Sequence, residues 1–454
     1  MKKVAIGGGQ GFWGDSPDAA IHMIRNADIQ YMGCDYLAEL TLSIMAKQQL
    51  KDPTKGFAPD FTTRILKEAG KEAWDKHIKI CTNAGGMNIN GCVDGIRQWA
   101  EGNIMSGYKI GYVTGDNIKD KIPQLLKDGW TFPNFDYDGN FNDILDKIYN
   151  CNVYIGHEGI EGCLAEGADV VITGRAADSA LFLAPLKYEF GWAADDWDNL
   201  ARGIMAGHLL ECAGQVTGGY FADPGYKDVP DLWKLGFPLI EIDETGAFTV
   251  TKVEGSGGLV SVDTCKEQMI YEIHNPKAYL TPDATADFSK VTFRQIGENQ
   301  VRAEHATTHG RPETLKVSVG YKDCFIGEGE ISYGGSNCMA RAELAAEILE
   351  KRIELTGIEL EEYRTDFIGC NSLYRDAISK EIGSGTPCEV RLRAAGRTKD
   401  RKNAVLLANE VEALYTNGPA GGGGAVKRVS EIVSVCSIFV PRDAVEAKVT
   451  FREV

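Results

Sequence analysis

The sequence lacks the features that mark several specialised protein classes. Its 12 cysteines are scattered without a CxxC pair, which excludes a zinc ribbon or a disulfide framework and predicts reduced, mostly buried thiols. No apolar run is long enough to cross a bilayer. The net charge of −17, without any basic cluster, offers no surface to nucleic acid or anionic lipid. The apolar stretch after Lys3 is too short for a signal peptide, so we expect a cytoplasmic protein without nucleic-acid or membrane partners.

Nucleotide-binding motifs are equally scarce. The ATP-binding pattern G-x-x-x-x-G-K-[ST] does not occur. The segment from Gly9 to Gly14 spells G-x-G-x-x-G, and Asp35 lies roughly 20 residues further on, where a ribose ligand is expected. However, the segment contains the bulky Phe12 and Trp13 and runs directly into a helix start. A nucleotide-dependent ligase or dehydrogenase is therefore disfavoured.

The length and the pattern of apolar runs indicate two domains of different class. A chain of 454 residues exceeds the size at which a single core stops growing. In the first half, short apolar runs lead into glycine or polar turns and then helical patterns, which is typical of βα units on a parallel sheet. Six such strands are predicted, at residues 4–6, 29–34, 78–82, 108–114, 152–156 and 169–173.

The second half of the chain has a different pattern of predicted elements. It predicts strand pairs at 239–253 and 291–306, single strands at 315–319, 389–394 and 445–451, and helices at 339–355 and 403–415. We therefore expect a mainly parallel α/β domain with flanking helices at residues 1–235. A smaller, mixed α+β domain is expected at residues 236–454.

Polar side chains follow several of the predicted strands in the first half. They are Asn83, Asp116, His157, Arg175 and Asp178. Open α/β sheets bind ligands in the crevice beyond the carboxyl ends of their strands. We therefore expect these residues to gather at one site, the alternative being that they are ordinary polar turn residues.

The glycine-rich segment 7–15 connects a predicted strand to a predicted helix. Its backbone N–H groups, with Gly8, Gly9 and Gln10, can hold an anion or phosphate at the N-terminus of a helix. The competing interpretation is a turn whose glycines permit close packing. The sequence leaves both open.

Two pairs of charged residues are candidates for chemistry at the strand ends. Asp35 and Glu39 lie four residues apart, a spacing suited to holding a divalent cation or transferring protons, or to a cap followed by a solvated acid. Arg175, in a glycine-flanked turn, can clamp a substrate carboxylate or phosphate. Asp178 either caps the next helix or acts as a base.

The segment Gly207–Gly219 carries the strongest chemical pattern. His208, Glu211 and Cys212 lie at i, i+3 and i+4 and share one face if the segment is helical. His208, beside an acid that can orient it and raise its pKa, is the best candidate for a general base. The alternative is a satisfied helix histidine beside a buried cysteine. The H-x-x-E-C order lacks a partner motif for zinc, so no metal site is predicted here.

Several segments of the chain carry a resemblance to a known family. They are Asp35–Leu40, Cys81–Asn88, Gly174–Leu181 and Gly207–Gly219. They are similar to segments of the acyclic terpene utilisation (AtuA-like) family of bacterial proteins, and the likeness runs nearly end to end. On this basis we expect Gly85, Gly86, Gln215 and Gly218, which lie within these segments, to contribute to substrate binding.

The resemblance also implies a biological setting. Family members accompany genes for the breakdown of acyclic terpenes and related branched acids through coenzyme A thioesters, and many have a small associated protein as partner. We therefore expect a small-molecule acid or acyl thioester as ligand, with coenzyme A as part of the substrate, and a homo-oligomer. A divalent metal stays open as a cofactor. The family name describes a pathway and does not assign a reaction.

The leading functional hypothesis is a hydratase, dehydratase or isomerase that uses general acid–base catalysis without a redox cofactor. In this hypothesis His208 is the base, Glu211, Asp178 and Glu39 are further catalytic groups, and Arg175 and Asp35 contact the substrate. Glycine turns supply N–H groups to an enolate oxygen. The alternative is a non-catalytic or half-site subunit that binds an acyl thioester and becomes competent only with its small partner.

Overall fold

The computed structural model describes residues 2–133, 139–382 and 387–454. The chain divides into two compact units, one formed by Met1–Gly320 with Val435–Val454 and the other by Tyr321–Ser434. This division differs from the predicted boundary after residue 235. The reason is that four later strands join the same sheet as the N-terminal strand, namely Pro238–Asp243, Phe248–Lys252, Thr292–Gly297 and Gln300–Glu304.

Strands and helices alternate along the first half of the chain, and the second half contains mostly strands. The strands are β1 (Lys3–Gln10), β2 (Tyr31–Cys34), β3 (Lys79–Thr82), β4 (Lys109–Thr114), β5 (Ile148–Val153), β6 (Val170–Thr173), β7 (Pro238–Asp243), β8 (Phe248–Lys252), β9 (Tyr279–Leu280), β10 (Thr285–Asp287), β11 (Thr292–Gly297), β12 (Gln300–Glu304), β13 (Thr307–Thr308), β14 (Thr314–Gly334), β15 (Glu362–Ile368), β16 (Glu389–Thr398), β17 (Gly423–Pro441) and β18 (Lys448–Glu453). The helices are α1 (Asp18–Asn26), α2 (Glu39–Lys51), α3 (Lys71–Asp75), α4 (Ile89–Gly102), α5 (Ile122–Lys127), α6 (Glu158–Ala165), α7 (Ala180–Phe190), α8 (Trp197–Glu211), α9 (Val262–Ile270), α10 (Cys338–Thr356), α11 (Arg375–Ile382) and α12 (Arg401–Asn417). A π-helical segment, Phe61–Gly70, leads into α3.

The first unit contains a ten-stranded mixed sheet in the order β11-β12-β8-β7-β1-β2-β3-β6-β4-β18. The central strands β1, β2, β3, β6 and β4 pair in parallel, as expected of βα units. On either side the pairing is antiparallel, starting with β7 against β1 and β18 against β4. The whole sheet is therefore mixed, and its parallel part comes entirely from the first half of the chain.

One predicted strand lies outside this sheet. The sequence predicts residues 152–156 as a strand of the parallel sheet, but β5 ends at Val153 and pairs with β14 instead. A central parallel strand is apolar on both faces, whereas β5 buries the amides Asn150 and Asn152. These amides hydrogen-bond each other and contact Ser43 of α2 and Asp116 after β4, which connects β5 to that helix and that loop.

The parallel strands are covered on both faces, so their side chains alternate between two cores. Val4 and Ile6 point to the core built with α7 and α8, and Ala5 points to the core built with α1 and α4. Fully burying one such aliphatic side chain stabilises the fold by roughly 1.5–3 kcal/mol. This alternation fixes the register of each strand and therefore the position of the loops that follow.

Helix α8 carries His208 and Glu211 of the H-x-x-E pattern and is almost entirely buried after its first turn. The Asp196 side chain caps its N-terminus by accepting a hydrogen bond from the Asn199 N–H. The helix ends at Glu211, and Ala213 two residues later has a left-handed backbone with φ of 43°. This turn redirects the chain and leaves Glu211 in the last helical turn.

The second unit is built on strands β15-β16-β14-β17. Helices α10 and α12 pack their apolar residues on one face of this sheet, around Ile331, Leu392 and Val411. The other face carries ion pairs between Arg393 and Glu328, and between Arg391 and Glu330. Each predicted element of this region is present, and β14, β16 and β17 are long strands. In the described part of the chain, no helix combines the length and apolar character that crossing a membrane requires.

Candidate functional site

The loops after the parallel strands meet in the first unit, at the carboxyl end of the sheet. Asp35 follows β2, Asn83 follows β3, and Arg175 follows β6. Asn83 Nδ2 donates to Asp35 Oδ1 at 2.6 Å, and the Asn83 side-chain oxygen accepts from the Tyr36 N–H at 2.7 Å. Asp116, after β4, accepts from the Arg175 N–H at 2.9 Å. The structure therefore brings together four of the polar residues that follow the predicted strands.

Two adjoining cavities open at this edge, and together we call them the cleft. The larger has a volume of about 490 Å³ and the smaller about 170 Å³. Both are lined by Glu39, Asp178, Glu211 and Glu272. Asp35 and Arg175 line only the larger cavity, and His208 lines only the smaller one.

Arg175 is the most deeply buried charged residue of the site, with 1% of its surface exposed. Its guanidinium donates to the Leu37 carbonyl and to the Asp178 carboxylate and lies over the Tyr154 ring, 4.0 Å from the centroid. Burial opposes its charge, but the facing acids, Asp178 first among them, raise the pKa of Arg175 above its usual value. Two nitrogens of the guanidinium therefore have partners within the protein, whereas Nε is buried without a hydrogen-bond partner among the described residues.

Asp178 pairs with Arg175 and does not cap the next helix. Helix α7 starts at Ala180 after Ser179, and that helix end has no side-chain cap. Asp35 lies before α2 begins, so it does not share a helix with Glu39. Burial, followed by the charge of Asp178, raises the pKa of Asp35 well above its usual value, against the lowering effect of Arg175.

Glu39 is the first residue of α2, where the positive end of the helix dipole favours a carboxylate. Its side chain accepts hydrogen bonds from the Tyr154 hydroxyl and from Lys316 Nζ, the latter at 3.3 Å. Burial raises the pKa of Glu39, but Arg175, Lys316 and Tyr154 outweigh it and lower the pKa to about 2. Glu39 is therefore ionised at neutral pH.

His208 and Glu211 form a buried hydrogen-bonded pair on α8. His208 Nδ1 lies 2.7 Å from Glu211 Oε1, and His208 Nε2 lies 3.2 Å from the Met269 carbonyl. Since a carbonyl only accepts, Nε2 carries a hydrogen and both ring nitrogens have partners in the protein. The ring also packs against Tyr279 and Phe288. His208 is thus held in place, while Glu211 Oε2 is buried without a hydrogen-bond partner.

The pair shifts the pKa of both its members. Burial raises the pKa of Glu211, His208 lowers it, and the net value is about 7. Burial lowers the pKa of His208, but the charge and hydrogen bond of Glu211 raise it above the usual value. A carboxyl that titrates near neutrality is suited to general acid–base catalysis. Cys212 lies at the helix end, and burial raises the pKa of its thiol, so it is not an activated nucleophile.

The glycine-rich segment 7–15 is tightly packed, and its turn surrounds the carboxylate of Asp15. Gly8 and Gly9 lie within β1, where a Cβ on Gly8 would lie 2.6 Å from the Leu210 carbonyl oxygen. Gln10 is buried and donates to the Ser16 carbonyl at 3.1 Å. The N–H groups of Gly11 and Ser16 donate to the Asp15 carboxylate. An external anion would have to displace Asp15, so the geometry favours the packing interpretation of this turn.

The remaining residues expected to bind substrate lie at different distances from the cleft. Gln215 lines the larger cavity. Gly85 and Gly86 lie beneath it, where side chains would collide with the Thr173 carbonyl and with Met45 respectively. Gly218 has a φ of +105° and lies in the turn after α8. These three glycines line neither cavity and shape the backbone around the cleft.

His157 lies in a separate cluster and not in the crevice with Asp35 and Arg175. Its Nδ1 lies 2.7 Å from Asp283 Oδ1, and its backbone N–H donates to the same oxygen. With Glu158 they form a group of three neighbouring metal-ligand side chains among the described residues. Arg311 already pairs with Glu158, whereas Asp283 Oδ2 is buried without a hydrogen-bond partner among the described residues.

The sequence did not single out several residues that line the smaller cavity. Tyr154, Glu272 and Tyr279 belong to this group. Glu272 has a left-handed backbone, with φ of 59°, which is uncommon for a residue other than glycine. Tyr154 lies within the strand predicted at residues 152–156, and this position gives no signal of a functional role. Tyr279 lies in a segment without a recognisable pattern.

The comparison with known proteins matches the chain at the family level. The family described as "Acyclic terpene utilisation family protein AtuA" matches residues 4–451. No curated protein and no solved structure matches the chain significantly.

Proposed function

The chain belongs to the acyclic terpene utilisation family AtuA, and on this premise we propose that it is a hydro-lyase or isomerase of branched or unsaturated acids or their acyl thioesters. The proposed reaction adds or removes water, or shifts a double bond, by general acid–base catalysis. The observation that carries the proposal is the Glu211 carboxyl, which lines both cavities, titrates near 7 and has an unpartnered oxygen.

Two carboxyls of the cleft, Glu211 and Glu39, have pKa values that their surroundings shift in opposite directions. Glu211 exchanges protons near neutral pH, and Glu39, with a pKa of about 2, stays ionised. Such a separation is typical of sites in which one acid transfers protons and another has an electrostatic task. We assign proton transfer to Glu211 and the positioning of Tyr154 and Lys316 to Glu39.

The proposed chemical step uses one carboxyl for both halves of the reaction. Ionised Glu211 removes the proton from the carbon next to the substrate carbonyl, which leaves an enolate. The same proton then goes to a departing hydroxyl, so that water leaves, or to a more distant carbon, so that the double bond shifts. Hydration is the reverse. A Lys316 N–H, at the smaller cavity, donates to the enolate oxygen.

His208 acts in this scheme as a positioning residue. Its ring is fixed by the Met269 carbonyl, Tyr279 and Phe288, and it holds one oxygen of Glu211. This reverses the roles suggested by the sequence, in which His208 was the base and Glu211 its orienting acid. The reason is geometric, because both ring nitrogens already have protein partners.

The alternative is a binding subunit that becomes competent only with a small associated protein. Exposed aromatic side chains at the rim of the larger cavity favour it, since Phe12 is 55% exposed and Tyr220 is 91% exposed. Exposed apolar groups of this kind mark surfaces that bind partners or ligands.

One experiment separates these candidates. Purified protein is incubated with an unsaturated branched acid or its thioester, with and without the small associated protein, and the absorbance of the conjugated enoyl group is followed. The enzyme proposal expects a change without ATP or a nicotinamide. An absolute requirement for either cofactor would refute it, and turnover only with the partner would support the subunit.

A further inference from the structure

The charge of the cleft bears on the form in which a substrate enters it. The described residues that line the two cavities include six carboxyl groups and two cationic side chains. The carboxyl groups belong to Asp15, Asp35, Glu39, Asp178, Glu211 and Glu272, and the cations are Arg175 and Lys316. Burial raises the pKa values of Asp15, Asp35 and Glu211, which reduces this negative charge. His208 also lines the smaller cavity, where it pairs with Glu211. Outside that pair, Glu39, Asp178 and Glu272 outnumber Arg175 and Lys316.

Each cation already faces a carboxylate of the cleft that compensates its charge. Arg175 donates to the Leu37 carbonyl and to Asp178. Lys316 is compensated by Glu39, at 3.3 Å, and lies over the Tyr154 ring at 4.9 Å from the centroid. A Lys316 N–H can still hydrogen-bond a neutral carbonyl, because an ammonium has three donors. A free carboxylate, in contrast, would bring an additional uncompensated charge among acids.

The proton transfer also favours the neutral thioester over the free carboxylate. When Glu211 takes a proton from a neutral thioester, its negative charge moves to the enolate oxygen, and the net charge of the cleft does not change. Removing the same proton from a free carboxylate would create a dianion beside Glu39 and Asp178. Like charges in a partly buried site disfavour that state.

Resting on the proposed function, we propose that the cleft accepts the acyl group only as a neutral thioester and excludes the corresponding free carboxylate. In this proposal Arg175 has a structural role, in place of the substrate-clamping role expected from the sequence. The recognised part of the ligand is an uncharged branched acyl chain with its carbonyl.

A matched pair of ligands tests this inference. The probes are 3-methylbut-2-enoic acid and its N-acetylcysteamine thioester, which share the acyl chain and differ in charge. Calorimetry at pH 8, with and without Mg²⁺, measures both affinities for the full-length protein. We expect the thioester to bind at least about 10-fold more tightly, a difference equivalent to roughly 1.4 kcal/mol.

A charge variant at the rim provides a second readout. Glu272 lines both cavities and is exposed, so Glu272→Gln should narrow the gap between the two ligands by strengthening the binding of the acid. Glu254→Gln is the matched control, since Glu254 is an exposed acid that lines neither cavity, and it should leave the gap unchanged.

The outcomes distinguish this inference from the proposed function. Equal or tighter binding of the free acid, with or without Mg²⁺, overturns the inference, and so does the absence of binding by both probes. Preferential binding of the thioester without any turnover supports the inference while the catalytic proposal fails. Turnover of both probes at equal affinity supports the catalytic proposal and overturns the inference.

Discussion

His208 Nδ1 lies 2.7 Å from Glu211 Oε1 across one turn of α8, and both side chains are buried. Among the described residues, both ring nitrogens of His208 have partners, whereas Glu211 Oε2 has none. The two residues therefore have different roles. The histidine ring is fixed by Met269, Tyr279 and Phe288, whereas Glu211 lines both cavities of the cleft. Their opposite effects on each other's pKa make the pair sensitive to any change in either partner.

The pH dependence of the wild-type reaction should report Glu211. Burial raises its pKa, His208 partly offsets this, and the net value is about 7. A base must be ionised to accept a proton, so kcat/KM should rise as the pH increases through about 7. An ordinary glutamate would complete the same rise near pH 4.3. A rise confined to pH 4–5 would contradict the assignment.

Replacing His208 should move this pH profile. The cationic ring lowers the pKa of Glu211, so His208→Gln should raise that pKa and shift the rise in kcat/KM upwards by roughly one pH unit or more. A purely structural histidine would lower the rate equally at every pH. Circular dichroism and urea unfolding show whether the variant is folded, and an unshifted profile in a folded variant would exclude the positioning role.

Arg175 should matter for stability. Arg175→Ala leaves the Asp178 carboxylate and the buried Leu37 carbonyl without their donor, and breaking a buried pair costs roughly 3–5 kcal/mol. Arg311→Ala is the control, because its pair with Glu158 is 41% and 50% exposed and should contribute less than about 1 kcal/mol. Urea unfolding measures both. Equal small losses would show that Arg175 is not structural.

The packing role of Gly8 can be measured directly. A Cβ at Gly8 would lie 2.6 Å from the Leu210 carbonyl oxygen, next to Glu211, so Gly8→Ala should destabilise by about 1–3 kcal/mol and reduce activity. At Gly102, in the last turn of α4, an added Cβ meets nothing within 4 Å. Gly102→Ala should therefore be neutral or slightly stabilising. An anion-binding turn would instead lose ligand affinity in Gly8→Ala without any loss of stability.

Local patterns predicted much of the fold. The apolar runs that became β1, β2, β3, β4 and β6 were recognisable because each is short and followed by a turn and a helix. The His208–Glu211 contact was foreseeable from its i, i+3 spacing. The position of β5 was not foreseeable, because an extended run does not specify its partner, and the contacts of its buried asparagines with Ser43 and Asp116 are long-range.

Long-range contacts set the limit for the site. Tyr154 and Lys316 reach Glu39 across 115 and 277 residues of sequence, and no local spacing predicts such a meeting. The same holds for Met269, 61 residues from His208, whose carbonyl occupies His208 Nε2. The sequence does not reveal this contact, and His208 was therefore interpreted as the general base and Glu211 as the acid that orients it.

The most direct test of the central claim is hydrogen exchange at the carbon next to the carbonyl, measured by proton NMR in D₂O with the N-acetylcysteamine thioester of 3-methylbutanoic acid. This probe needs no knowledge of the complete reaction. The wild-type protein should exchange that hydrogen, and Glu211→Gln should exchange it roughly 10²–10⁴-fold more slowly while binding the thioester with similar affinity. Exchange at the wild-type rate in a folded Glu211→Gln variant, or none in the wild-type protein, would contradict the account.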